Sequence, residues 1–229
     1  MLMQQKRNIK GFSLLELLVV VVIISVIAGM GYPEFSKWQR DRLVKGEAEK
    51  FASLMTTATT RVEMGNYPYV RIAFNNSGLI EAKGVGQTDL SKKINSPNDP
   101  SCEQADFTGW NTADTGQWKK IGSHTLKTEV YIPSLGTGAA ICFSKGGKYF
   151  KQYGTAASQS NIKLDKDLSE TNNYVTFCHV KSSACNPVGN AFDKNFTTFL
   201  IRYSRFGTIN KYSWVFDKPK QITGKWINQ

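Results

Sequence analysis

Residues 10–32 read KGFSLLELLVVVVIISVIAGMGY, and this stretch decides how the rest of the chain is to be understood. From Phe12 to Tyr32 there is one charge, Glu16. A helix of that length, rising about 1.5 Å per residue, reaches roughly 30 Å, the thickness of a bilayer's hydrocarbon core. The first ten residues are polar and basic and carry Lys6, Arg7 and Lys10, which favour the cytoplasmic side. Whatever follows the apolar run is then expected beyond the inner membrane. An ordinary secretory signal has a small-residue cleavage site after its apolar core. Here Ala28, Gly29 and Gly31 are the nearest small residues, and they form no such site. A plain anchor would account for all of this except Glu16. A carboxylate inside an apolar helix is costly and needs a partner, which makes it a functional pointer.

Lys10-Gly11-Phe12-Ser13-Leu14-Leu15-Glu16-Leu17-Leu18 resembles the class III signal of type IV prepilins and of type II secretion pseudopilins. The resemblance implies cleavage between Gly11 and Phe12 by a prepilin peptidase, methylation of the new Phe12 amine, and pairing of Glu16 with the amine of a neighbouring subunit during assembly. It implies as partners the other pilin or pseudopilin subunits, the peptidase and an inner-membrane assembly platform. It also implies a single-pass inner-membrane precursor, N-terminus cytoplasmic and globular part periplasmic, that later enters a pilus or pseudopilus. Residues 1–11 are on this reading a cleaved basic leader. Residues 12–32 serve first as anchor and then as filament core.

Pro33 follows, where such proteins often kink the helix, and mid-helix proline is a known cause of kinks. In residues 33–64, Val44, Ala48, Phe51, Met55, Ala58 and Val62 recur every three or four positions, the apolar stripe of an amphipathic helix. Gly65-Asn66 is expected to cap it. From residue 65 to 229 the texture is β. Expected strands are 69–74, 126–132, 139–144, 148–153, 174–180, 197–203, 208–216 and 223–227, with a hairpin turn at Ser144–Lys148. The polar region from Gly84 to Gly122 is expected to be an irregular loop. The fold class is α+β: a long N-terminal helix packed on a C-terminal antiparallel sheet domain, an arrangement similar to minor pilins and the pseudopilin H group.

Four cysteines, Cys102, Cys142, Cys178 and Cys185, all follow the apolar run. In an exported domain they suggest two disulfides. Of three pairings, Cys178–Cys185 with Cys102–Cys142 is favoured, because the first closes a short polar loop. They have no zinc-site spacing with His124 or His179, and no metal or cofactor is expected. No GxSxG, HExxH or P-loop pattern appears, so an enzyme is not expected, and both histidines read as isolated surface or core residues.

The chain is basic, with net charge +11, and stays so without Lys6, Arg7 and Lys10. Its last segment, Phe196–Gln229, sets Arg202, Arg205, Lys211, Lys218, Lys220 and Lys225 against Asp217 alone. Aromatic residues are interleaved. Cations neutralise phosphates while exposed rings stack on bases, and some competence pilins bind DNA through basic C-terminal regions. DNA is therefore a candidate partner. Tyr203, Trp214 and Phe216 also fit alternating core positions of a strand. The expected role is a structural subunit, a minor pilin, contributing to DNA uptake, adhesion or motility. The alternative is a type II secretion pseudopilin.

Overall fold

The computed structural model describes residues 13–75, 78–88, 118–133, 139–145, 149–152, 173–182, 184–186, 191–193, 195–204, 208–216 and 224–229. Two compact units emerge, residues 1–39 and 40–229. Helix α1, Leu14–Glu63, begins in the first and ends in the second.

In the first unit the described helix is almost wholly apolar and exposed from Leu14 to Ile27. Ser25, the one hydroxyl in this run, donates to the Val21 carbonyl at 2.7 Å, which satisfies it without an outside partner. The helix bends between Gly29 and Glu34, around Pro33. Proline removes one helical N–H and clashes with the preceding turn. The bend divides the span: among the described residues no single helix is long and apolar enough to cross a membrane, but Leu14–Gly29 and Glu34–Glu63 together meet the test by length and composition.

In the second unit the expected stripe is the core. Val44, Ala48, Phe51, Met55, Ala58 and Val62 are all buried. Burial of side chains the size of Phe51 or Met55 contributes about 1.5–3 kcal/mol each. The helix ends where Gly65 takes a positive φ of 74°. Asn66 N–H bonds the Arg61 carbonyl and Gly65 N–H bonds that of Val62, a Schellman cap that satisfies otherwise orphaned carbonyls.

Two five-stranded antiparallel sheets pack on this helix, rather than the single sheet expected. The first has the order β3-β2-β1-β5-β6, with β1 Tyr69–Phe74, β2 Leu79–Val85, β3 Trp118–Thr125, β5 Ala140–Ser144 and β6 Tyr149–Gln152. The second has the order β12-β11-β10-β7-β4, with β4 Val130–Tyr131, β7 Tyr174–His179, β10 Phe199–Tyr203, β11 Ile209–Phe216 and β12 Gly224–Asn228. A short pair, β8 Cys185–Asn186 and β9 Ala191–Phe192, stands apart. Phe51 joins the layers, its ring 5.6 Å from Phe74 of the first sheet and 5.4 Å from Phe177 of the second. Phe143 meets Tyr203 edge-on at 5.9 Å.

Strands β1, β5, β6, β7, β10, β11 and β12 fall where alternation and aromatic content place them. The region from Gly84 to Gly122 does not. Gly84 and Val85 end β2, which begins at Leu79 where no strand was expected, and Trp118–Gly122 belong to β3; the two strands pair with a register shift between Ala82 and Lys83. Strand β3 is a sheet edge, where exposed Lys119 and Lys120 discourage further pairing; that polar pattern hid it. The expected strand 126–132 shrinks to Val130–Tyr131, because Val130 N–H turns back to the Lys127 carbonyl. The centre of the Ser144–Lys148 turn lies outside the described residues, but β5 and β6 do pair, Phe143 opposite Tyr149.

Candidate functional sites

Of the assembly residues, Gly11 and Phe12 lie outside the described residues. Glu16 stands in the first turn of α1, exposed like the aliphatic residues around it. An acid near a helix N-terminus is favoured by the helix dipole. The same position leaves the carboxylate close along the chain to the amine that cleavage after Gly11 would create. Pro33 lies within α1 at the bend.

In an antiparallel sheet directly opposed residues share a face and neighbours along a strand alternate. This rule splits the basic segment. Lys211 opposes Ile201, and Lys225 opposes Val215, two residues from Ser213, which opposes Phe199. Lys211 and Lys225 therefore share the face whose inner part, Ile201 and Phe199, packs on the helix. Arg202 opposes Asn210 and Tyr174 on the other face, beside buried Leu200. Arg205, Lys218 and Lys220 lie outside the described residues. The three described cations thus do not form one patch.

The outer face of the second sheet instead gathers aromatics. Phe192 lies tilted 4.4 Å from Trp214, and Trp214 is 5.3 Å from Trp226. Phe216 meets Trp214 edge-on. A Cβ on Gly224 would lie 2.8 Å from the Trp214 indole, so only glycine admits this close approach. Cys178, on the same face of β7 as Tyr174, is bonded to Cys185 with Cα atoms 6.2 Å apart, within the ordinary disulfide range. The bond and Phe192 together hold β8–β9 over the face. Trp214 is buried by this cover, so it is not a base-stacking platform.

The first sheet has a parallel arrangement. Cys142 is disulfide-bonded and buried on the outer face of β5 with Ala140, Val85 and Trp118. Arg71 on the same face stacks over the Trp118 ring at 4.5 Å, a cation–π contact. Cys102 lies outside the described residues.

Neither histidine is isolated. His124 Nε2 lies 2.6 Å from Glu47 Oε2, and Lys50 Nζ is 3.0 Å from Glu47 Oε1. Burial pushes the Glu47 carboxyl up, but the bonds to Lys50 and His124 outweigh it and hold the group below its ordinary value. His179 accepts the Lys181 N–H at Nδ1, 3.1 Å, and stacks on Phe196 at 5.0 Å. Burial, then the charges of Arg40 and Lys181, push its pKa down. Glu47 was visible in principle. It lies three residues after Val44 and four before Phe51, so it is a charge on the apolar stripe.

Residues 6–32 match the prokaryotic N-terminal methylation motif. The chain thus carries the signature of type IV pilins and pseudopilins, and its α+β architecture is pilin-like. No curated protein and no solved structure matches it.

Proposed function

We propose that this chain is a minor pilin: a structural, non-catalytic subunit that is cleaved after Gly11, methylated at Phe12 and held in the inner membrane until assembly. The observation that carries the reading is the methylation motif over residues 6–32, continuous with the exposed apolar face of α1. Packed against other subunits' helices, that surface leaves water. Glu16 then satisfies the Phe12 amine of a neighbour, and an unpaired carboxylate there would be expensive, so misregistered subunits are disfavoured. The disulfide-pinned sheets suit an exported tip subunit. A type II secretion pseudopilin shares the same N-terminal chemistry and is the second reading.

The test is intact mass from a membrane fraction of a host with prepilin peptidase, together with filament incorporation of Glu16→Ala. A mass of residues 12–229 plus one methyl group is expected, with Glu16→Ala cleaved normally but poorly incorporated. An unprocessed mass, or normal incorporation of the variant, sinks the proposal. DNA uptake would draw on Lys211 and Lys225 on one sheet face, and no shift of a labelled duplex by micromolar protein at low salt removes that role.

A further inference from the structure

Three large aromatic residues, from Tyr32 at the end of the apolar run to Trp38, fall within seven positions. Tyr32 is 73% exposed, Phe35 53% and Trp38 52%. The rings of Phe35 and Trp38 lie 5.8 Å apart at 31°, and Lys37, next to Trp38 in sequence, is half-buried. All four belong to the first unit of the fold, beyond the stripe that packs on the sheets. The contacting Phe35 and Trp38 rings make an apolar patch, and the same short stretch of helix carries the Tyr32 phenol and the Lys37 ammonium. That combination partitions to the boundary between lipid chains and headgroups, where the ring body is shielded and the polar tip stays wet. The distance agrees. Trp38 is 26 residues beyond Phe12, about 39 Å along the helix path. Measured from Phe12 at the inner edge of a hydrocarbon core of about 30 Å, the outer headgroup layer ends at about 35–37 Å, so Tyr32 at about 30 Å and Phe35 at about 35 Å fall within it and Trp38 lies just past it. The bend between Gly29 and Glu34 shortens the rise along the membrane normal and brings the group closer to that layer.

We propose that Tyr32, Phe35, Lys37 and Trp38 form a collar that seats in the phospholipid headgroup layer on the exit side of the bilayer. It fixes how far the unassembled subunit is drawn into the membrane. The rings occupy the interface and the Lys37 ammonium meets lipid phosphate. The inference rests on the reading of α1 as an anchor.

The full chain, reconstituted in vesicles of phosphatidylethanolamine and phosphatidylglycerol, tests it. The acyl chains carry bromine either near the headgroup or at the chain centre, and tryptophan emission is read. Shallow bromines should quench about twofold more than deep ones, as for an interfacial ring, and the difference should disappear in Trp38→Phe. Flotation of the vesicles reports anchoring separately. A chain that floats but whose shallow quenching is unchanged in Trp38→Phe overturns the collar and leaves the anchor standing. A chain that does not float overturns both. Trp38 shielded only in assembled filaments, and unquenched in vesicles, would assign the rings to subunit packing and overturn the lipid site.

Discussion

His124 Nε2 sits 2.6 Å from Glu47 Oε2, tying edge strand β3 to the buried side of α1. The backbone N–H of Lys127 approaches the same oxygen at 3.4 Å, so one carboxylate holds both the end of the strand and the turn after it. Replacing His124 with Ala removes the shortest of these contacts and leaves a buried charge less satisfied. Such losses cost about 1–3 kcal/mol, and urea denaturation of the detergent-solubilised chain should show a loss in that range. Because the folded carboxyl titrates below its ordinary 4.5, this contribution is complete above pH 4.5 and declines as pH falls through the lower folded value. Glu47→Gln should flatten that acid limb.

His179 should make stability pH-dependent in a higher window. Its pKa is depressed from 6.5 by burial and by Arg40 and Lys181, with Glu129 and Asp41 opposing. The unfolded chain binds a proton that the folded one resists, so stability is full above pH 6.5 and declines as pH falls toward the folded value. His179→Phe keeps a ring against Phe196 but cannot charge. Thermal unfolding of this variant should fall less between pH 7 and pH 5 than that of the parent.

The Cys178–Cys185 disulfide closes a short loop, a sequence separation of 7. Its removal by paired Cys→Ser changes should cost about 2 kcal/mol by the loop-entropy relation. The β8–β9 cover should loosen with it. Acrylamide quenching of tryptophan should rise as Trp214 loses contact with Phe192; unchanged quenching would show that packing alone holds the cover.

Gly46 lies inside α1, and a Cβ built there meets nothing within 4 Å. Gly46→Ala should therefore stabilise the helix by about 0.5–1 kcal/mol, seen as a raised denaturation midpoint. A lowered midpoint would mean that the site is occupied in the folded protein.

Local order determined much of this protein. The 10–32 run, the stripe from Val44 to Val62 and the Gly65 cap were legible because helix periodicity and chain termination are properties of consecutive residues. The strands rich in Val, Ile, Phe and Tyr were legible for the same reason. Strands β2 and β3 were not, since strands at a sheet margin with one face toward water tolerate the charges and glycines of a loop. Pairing lay beyond the sequence altogether. Whether Arg202 joins Lys211 and Lys225 is set by sheet register, and register put them on opposite faces. The Glu47–His124 contact spans 77 positions, and a charge on an apolar stripe announces a buried partner without naming it. Tertiary structure decided the partner, because the free energy of a buried carboxylate depends on which groups the fold brings within hydrogen-bonding reach.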